Sequence, residues 1–201
     1  EEAVLKNIDF SCHKGQKIAV IGSTGSGKST LVKLMNRFYD VSRGLIEING
    51  VDIRKYNLES LRTQIGYVAQ KAHMFKGSIQ SNICFGKPEA SVEEMVHAAT
   101  VAQASEFIST REHGYEDEIA EDGTNISGGQ KQRLSIARVI LKKPSLYIYD
   151  DSFSALDFKT DATLRKALKP EVKNAIFFVV AQRISTIMDS DMIIVLDEGQ
   201  I

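Results

Sequence analysis

The chain has 201 residues, which suits one domain, or one domain with a subdomain, and is long enough to bury a sizeable core. Apolar residues make up 43% and charged residues 25% of the sequence, near the values of ordinary globular proteins. The net charge of −1 gives no sign of a nucleic-acid-binding surface. No apolar run reaches the roughly 20 residues that a membrane span needs.

Apolar runs near both ends of the sequence predict β-strands. Several of them are continuous, as is typical of parallel strands that are buried on both faces. The turn pairs Asn49-Gly50 and Glu198-Gly199 predict antiparallel hairpin edges beside the parallel sheet. In chain order, the predicted strands are Val4–Phe10, Lys17–Ile21, Leu45–Ile48, Ile65–Val68, Leu146–Tyr149, Ile176–Val180 and Met192–Leu196.

Three segments between these runs have the apolar spacing of a helix with one buried face. The second begins with a capping box formed by Ser91 and Glu94, and the third stops near Pro144. The predicted buried faces are Leu31, Leu34, Met35 and Phe38; Val92, Met95, Val96 and Ala99; and Leu134, Ala137, Ile140 and Leu141.

This arrangement predicts an α/β fold in one domain, 1–201, truncated at both ends. Residues 1–70 and 144–201 form the core, and a helical subdomain, 71–143, interrupts it. Two cysteines, Cys12 and Cys84, do not indicate a disulfide framework and favour reduced thiols. One basic run is interpreted as a solvated helix face: Lys131, Arg133, Arg138, Lys142 and Lys143.

A glycine-rich segment, Gly22–Ser29, fits the pattern G-x-x-x-x-G-K-[ST] between a predicted strand and a predicted helix. Its backbone N–H groups and the helix N-terminus would bind phosphate oxygens, Lys28 would reach the β- and γ-phosphates, and Ser29 would ligate Mg²⁺. The chain has no N-K-x-D motif, which disfavours a GTPase. The predicted ATP contacts in this region are Gly22, Ser23, Thr24, Gly25, Ser26, Gly27, Lys28, Ser29 and Thr30.

Two further motifs point to nucleotide chemistry. Asp150 ends an apolar strand, where a carboxylate would lie beside the phosphate site and hold Mg²⁺ through water. The segment Asn125–Gln130 reads N-I-S-G-G-Q and precedes a helix, so it offers a second anion site. This segment resembles the L-S-G-G-Q signature of the ABC ATPases, with Ile126 in place of Leu. The predicted contacts of the signature are Ser127, Gly128, Gly129 and Gln130.

The resemblance covers essentially the whole chain and implies a P-loop NTPase core with a mixed sheet, an antiparallel β edge and a helical subdomain. It implies that Gln70 is the Q-loop glutamine, which contacts ATP, Mg²⁺ and water. Ser154–Asp157 resembles the D-loop, and Glu118–Gly123 resembles the exporter segment before the signature, although Asp122 replaces an Arg. Because the family builds each ATP site from two chains, it implies a partner nucleotide-binding domain.

Two residues depart from the hydrolysing members of the family. Asp151 stands where they have the general-base Glu, and Gln182 stands where they have a His that contacts the γ-phosphate. Asp is one methylene shorter than Glu, and Gln cannot carry charge. The pair resembles the degenerate-site subunit of heterodimeric exporters, including bacterial multidrug exporters. The implied catalytic set is therefore Lys28, Gln70, Asp151 and Gln182, and the implied metal set is Ser29, Gln70 and Asp150.

The sequence thus predicts an ATP- and Mg²⁺-binding exporter ATPase with a slow site of its own. It would act at the cytoplasmic face of the cell membrane with a transmembrane domain outside the chain. The family's adenine-stacking aromatic would also lie outside the chain, since Phe10 and His13 are poor substitutes by position. The alternatives are a soluble ABC-type ATPase and a nucleotide-sensing module.

Overall fold

The computed structural model describes residues 3–201. Its strands are β1 (Lys17–Gly22), β2 (Glu47–Ile48), β3 (Val51–Asp52), β4 (Ile65–Val68), β5 (Gly77–Ser78), β6 (Glu118–Ile119), β7 (Leu146–Asp150), β8 (Ile176–Val180) and β9 (Met192–Leu196). Its helices are α1 (Lys28–Met35), α2 (Leu58–Gln64), α3 (Ile79–Ile83), α4 (Val92–Val101), α5 (Ser105–Ser109), α6 (Gly128–Lys142), α7 (Phe158–Glu171) and α8 (Ile184–Ile187).

The central sheet has five strands in the order β4-β7-β8-β1-β9, and all four of its pairings are parallel. It confirms the prediction that the continuous apolar runs are parallel strands. One hydrophobic cluster packs on each face, with Ile136 and Leu134 on one side and Val32 and Leu61 on the other. Because all five strands point the same way, their carboxyl ends form one edge of the sheet, where the site residues gather.

The antiparallel pairs form two separate sheets, β2-β3 and β5-β6. The Asn49-Gly50 hairpin is confirmed, but its first strand begins at Glu47, and Leu45 lies exposed before it. Beyond β9, Glu198-Gly199 makes a turn closed by a single bridge between Asp197 and Gln200.

The strand predicted at Val4–Phe10 is wrong, because the described residues of this segment form no strand. Asn7 has a left-handed backbone with φ 54°, which breaks an extended run. The backbone N–H of Lys6 donates to the carbonyl of Gly199 at 2.8 Å, so this segment crosses the last turn of the chain without entering a sheet ladder.

Two of the predicted helix faces need correction. Phe38 lies beyond α1, since Arg37 turns left-handed at φ 50° and ends the helical path. On α4, Val92 is 63% exposed, and the buried face is shifted toward Ala98 and Val101. The face predicted for α6 is buried as expected, and the capping box at the start of α4 forms.

The predicted solvated face is wrong for the basic residues on α6, which are half-buried, whereas Lys143, just after the helix, is exposed. The Arg138 guanidinium is largely enclosed, and its Nε donates to the Asn82 carbonyl at 2.8 Å. Burial lowers the pKa of Arg138 to about 10. Lys142 donates to the Ile65 carbonyl at 2.9 Å, and Arg133 lies 4.9 Å from the ring centre of Phe107. The long stems of these side chains therefore pack along the helix while their charged ends bind backbone oxygens.

Cys12 and Cys84 are both free thiols. Among the helices described, none combines the length and the apolar character needed to cross a membrane.

Candidate functional site

The phosphate loop starts at the last residue of β1, Gly22, whose backbone and surroundings only glycine allows. Gly22 has φ 154°, and a Cβ built on it would lie 2.2 Å from the Leu196 carbonyl oxygen of the neighbouring strand β9. Gly25 and Gly27 take left-handed conformations at φ 87° and 105°. The chain can therefore turn sharply from the sheet edge into α1. The Gly199 N–H braces this turn by donating to the Ser26 carbonyl at 3.2 Å.

The start of α1 can receive an anion. Gly27 is its N-cap, and within residues 3–201 no side chain caps the free N–H groups of the first turn. Lys28 Nζ donates to the carbonyls of Gly22 and Ser23 at 2.7 and 2.6 Å, so its charge lies over the same loop. Ser29 is exposed in the first helical turn, with Thr30 half-buried beside it. Charge, free amides and hydroxyls together fit a polyphosphate.

Asp150 ends β7 on the same edge of the sheet. The Tyr67 hydroxyl of the adjacent strand β4 donates to its Oδ2 at 3.3 Å. Burial raises the pKa of the Asp150 carboxyl, and the hydrogen bond from Tyr67 and the charges of Lys33 and Lys28 oppose that rise. Burial and the neighbouring carboxylate raise the pKa of Tyr67 to about 12, so Tyr67 stays a hydrogen-bond donor at neutral pH.

Asp151 connects three separate segments of the chain. Its Oδ2 accepts hydrogen bonds from Gln70 Nε2 at 3.1 Å and from Gln182 Nε2 at 3.0 Å. Its backbone is left-handed at φ 46°. Burial raises the pKa of the Asp151 carboxyl, while the hydrogen bond from Gln70 and the charges of Arg183 and Lys28 act against this. Residues that are far apart in sequence, and were predicted separately, thus meet around one carboxylate.

The donor set fits a magnesium ion. Mg²⁺ prefers oxygen ligands, keeps several waters and usually takes one or two carboxylates beside substrate phosphates. The hydroxyl of Ser29 and the carboxylate of Asp150 are such ligands. The charge of Lys28 acts on both Asp150 and Asp151, which brings the loop and the acidic edge into one electrostatic environment. Gln70 is instead bound to Asp151.

The predicted signature lies apart from this cluster. Ser127 caps α6: its Oγ accepts from the Gln130 N–H at 3.2 Å, and its own N–H donates to Gln130 Oε1 at 3.0 Å. Gly128 faces open space, and a Cβ on Gly129 would lie 3.4 Å from the Ala155 carbonyl. Over residues 3–201, no hydrogen bond joins this turn to the phosphate loop. The helix start is therefore open to an anion from outside the chain's own site.

A family described as ABC transporter matches residues 5–154 of the sequence. The chain belongs to this family. Membership implies ATP binding and hydrolysis, and the fold of the ABC ATPases is confirmed by a solved structure described as a bacterial Atm1-family ABC exporter with ATP bound. That structure has a TM-score of 0.95 and 37% identity, and the match covers 98% of this chain and 35% of the other.

Two proteins are also similar in sequence to this ABC transporter domain. "Putative multidrug export ATP-binding/permease protein YgaD" of Bacillus subtilis is 45% identical over 201 residues, which cover 100% of this chain and 35% of the relative. "Heavy metal tolerance factor 1" of Caenorhabditis elegans is 46% identical over 196 residues, which cover 98% and 24%. The chain thus spans about a third of the length of the first relative and about a quarter of the second.

The structure of the ABC transporter domain adds a residue that the sequence did not single out. Arg183, next to Gln182, donates to the carbonyls of Ser154 and Leu156 at 3.2 and 3.3 Å, so it fastens the predicted D-loop to the segment that carries Gln182. A lone Arg gives no sequence signal for this contact. Tyr67 was also missed in the sequence analysis. A tyrosine on β4, the strand beside the one that ends in Asp150, is a signal that could have been used, because its hydroxyl can reach a neighbouring carboxylate.

Proposed function

We propose that this chain is the ATP-binding and ATP-hydrolysing domain of an ABC exporter, and that its own site turns over slowly. The slow turnover is inferred from the hydrogen bonds at Asp151. Its Oδ2 accepts from two uncharged amides, Gln70 and Gln182. The short Asp side chain holds its oxygens nearer to the backbone than a Glu would, and no cationic side chain occupies position 182.

The phosphate loop and the acidic edge have separate roles in this proposal. The loop from Gly22 to Thr30 binds the ATP phosphates, with Lys28 as the cation that neutralises them. Ser29, Asp150 and Gln70 would hold Mg²⁺, which would supply positive charge to offset the negative charge on the phosphate oxygens. Asp151 orients and deprotonates the attacking water. A misplacement of about 1 Å at such a base can lower the rate by about 10²-fold.

The signature is proposed to act on a different nucleotide. Ser127, Gly128, Gly129 and Gln130 begin α6, and among residues 3–201 no hydrogen bond joins them to the chain's own phosphate loop. A partner nucleotide-binding domain would place its ATP there on dimerisation. The open space around Gly128 supports this role, because a phosphate needs close approach to the backbone.

The proposed export function is supported by the names of similar proteins. Names that include export, ATP-binding and permease functions support a transmembrane domain in the same protein. The domain would then lie at the cytoplasmic face of the cell membrane. Within it, residues 1–70 and 144–201 would form the core that holds the phosphate loop, and 71–143 the helical subdomain that carries the signature.

Each shared ATP site would combine the phosphate loop of one chain with the signature of the other. The test disables these two elements of this chain one at a time, in the full-length protein with its partner. Lys28→Ala disables this chain's loop. Gly128→Asp puts a negative charge at the signature, where the open space and the helix N-terminus tolerate the side chain but the phosphate is repelled. Lys14→Ala, at an exposed lysine, is the matched control. We expect Lys28→Ala to keep most of the steady-state ATP hydrolysis and Gly128→Asp to lose it.

The reverse result would contradict the slow site, because hydrolysis would then depend on this chain's own loop. If neither variant changes the rate, the shared-site arrangement is wrong. If ATP drives dimerisation but no protein, including the unsubstituted one, hydrolyses it, the chain is a nucleotide-sensing module. Hydrolysis that continues in a purified full-length protein lacking membrane spans would point to a soluble ATPase.

A further inference from the structure

Helix α6 links the signature to Gln70 through a buried amide. Gln132 lies one turn into the helix, is 1% exposed, and donates from Nε2 to the Ala69 carbonyl at 3.0 Å. Ala69 is the residue between the end of β4 and Gln70. The signature helix therefore holds the peptide group from which the Gln70 side chain extends.

Two more side chains of α6 bind the backbone on either side of this point. Lys142 donates to the Ile65 carbonyl at the start of β4, at 2.9 Å. Arg138 donates to the Asn82 carbonyl at 2.8 Å, and Asn82 in turn binds the backbone of Phe75 on both its N–H and C=O. The backbone before and after Gln70 is thus fixed, and Gln132 supplies the contact closest to Gln70.

The burial of Gln132 explains why its amide needs this contact. A buried amide without a partner is unfavourable, and the half-buried Ala69 carbonyl accepts its hydrogen bond. An apolar residue of the same size at position 132 would fill the space but leave the Ala69 carbonyl without this donor. The Ala69–Gln70 peptide could then rotate, and the Gln70 amide would lose its alignment with Asp151, which depends on a single 3.1 Å hydrogen bond.

We propose that Gln132 is a positioning residue for ATP hydrolysis: it holds the Gln70 side chain against Asp151 and connects that contact to the helix that carries the signature. This proposal rests on the function proposed above for Gln70. It assigns Gln132 no contact with nucleotide, so its effect passes entirely through Gln70.

A double-mutant cycle in the full-length protein tests this route, with the partner's phosphate loop disabled so that kcat reports hydrolysis at this chain's own site. Gln132→Met keeps the volume and removes the donor, and Gln70→Ala removes the group that it positions. We expect Gln132→Met to lower kcat about tenfold with KM for ATP changed less than about twofold, since a positioning error affects the chemical step more than binding. In the Gln70→Ala background the same substitution should have no further effect on kcat.

The matched control is Gln64→Met, because Gln64 makes only a 3.5 Å contact within its own helix, to the Ser60 carbonyl. If Gln132→Met lowers kcat equally in both backgrounds, Gln132 acts on the fold and not through Gln70, and the proposal is overturned. If Gln70→Ala does not change kcat, the function proposed for Gln70 is wrong. That outcome differs from an equal effect of Gln132→Met in both backgrounds, which contradicts only the proposal for Gln132.

A second variant covers the case in which Gln132→Met does not fold. Gln132→Glu introduces a carboxyl that can donate to the Ala69 carbonyl only while protonated. Its kcat relative to the unsubstituted protein should rise as the pH is lowered, and this rise should disappear in the Gln70→Ala background. A pH profile that matches the unsubstituted protein, or a rise that persists without Gln70, would contradict the proposal.

Discussion

The side-chain amide of Gln182 donates to the Asp151 carboxylate at 3.0 Å, on the same oxygen that accepts from Gln70. Position 182 lies on the segment after β8, and Asp151 follows β7 directly. The two strands are neighbours, so their carboxyl ends bring the side chains together. The contact is between a carboxylate and a neutral amide, and it leaves the site without a cation at position 182.

Restoring the hydrolytic pair should raise the turnover of this chain's own site. The change is the double substitution Asp151→Glu with Gln182→His. The longer carboxylate would reach the water, and the imidazole would supply a group able to carry charge near neutral pH. We expect single-turnover hydrolysis at this site to rise by about tenfold or more, since a well-placed general base supplies about 10²- to 10⁴-fold. The measurement is ATP cleavage under single-turnover conditions, with the partner's phosphate loop disabled.

Each single substitution is the control for the pair. Asp151→Asn, which cannot act as a base, should reduce the remaining rate further. A double variant no faster than the unsubstituted protein would mean that these two positions do not limit hydrolysis.

Tyr67→Phe should weaken Mg²⁺ binding with little change in packing. The ring remains against Phe38, 5.8 Å away between centroids, but the donor to Asp150 is lost. Since that hydrogen bond opposes the burial that raises the pKa of Asp150, its loss raises this pKa further. A hydrogen bond of this kind is worth about 1 kcal/mol. With the partner's phosphate loop disabled, the Mg²⁺ concentration for half-maximal hydrolysis at this chain's own site should therefore rise about fivefold, and Tyr39→Phe, on an exposed ring, should leave it unchanged.

Arg165→Met should destabilise the fold. Asp161 is 1% exposed, accepts from Arg165 Nε at 2.9 Å and lies 3.7 Å from Arg183. Removing its nearer partner leaves a buried carboxylate with only the longer ion pair. Such a loss costs about 3 kcal/mol in the free energy of unfolding, measured by urea denaturation.

The same change at an exposed arginine, Arg62→Met, should stay within about 0.5 kcal/mol. Adding Asp161→Asn to Arg165→Met should recover part of the loss, because it removes the buried charge. If Arg165→Met behaves like Arg62→Met, the ion pair does not stabilise the fold.

Asp52 should titrate far below an ordinary aspartate. The side-chain hydrogen bond from Arg54 is the main cause, and it lowers the pKa of Asp52 from 3.8 to about 2. Because the folded pKa is the lower one, the contribution of this pair to stability is present above pH 3.8 and is lost as the pH falls through about 2. Carboxyl NMR titration measures the pKa directly. Arg54→Gln should move it back toward 3.8, while Arg43→Gln, at an exposed arginine, should not.

The central sheet was predictable because parallel strands buried on both faces are continuous apolar runs of the correct length. The strand predicted at Val4–Phe10 is interrupted by Lys6, Asn7 and Asp9 and does not form, since a strand needs a partner's backbone and Asn7 has a left-handed backbone. On α6, the charges of Arg138 and Lys142 suggested solvent exposure. Composition does not reveal the carbonyls of Asn82 and Ile65 that these side chains reach.

The sequence by itself determined the phosphate loop, since the bend at Gly22, the charge of Lys28 and the hydroxyl of Ser29 are consecutive features of one local segment. It also determined which residues stand at positions 151 and 182. Only the tertiary structure decided that Gln70, Asp151 and Gln182 meet at one oxygen, and that Gln132 reaches the Ala69 carbonyl. The physical reason is range: loop geometry follows from neighbouring residues, whereas these hydrogen bonds depend on how distant strands and helices pack.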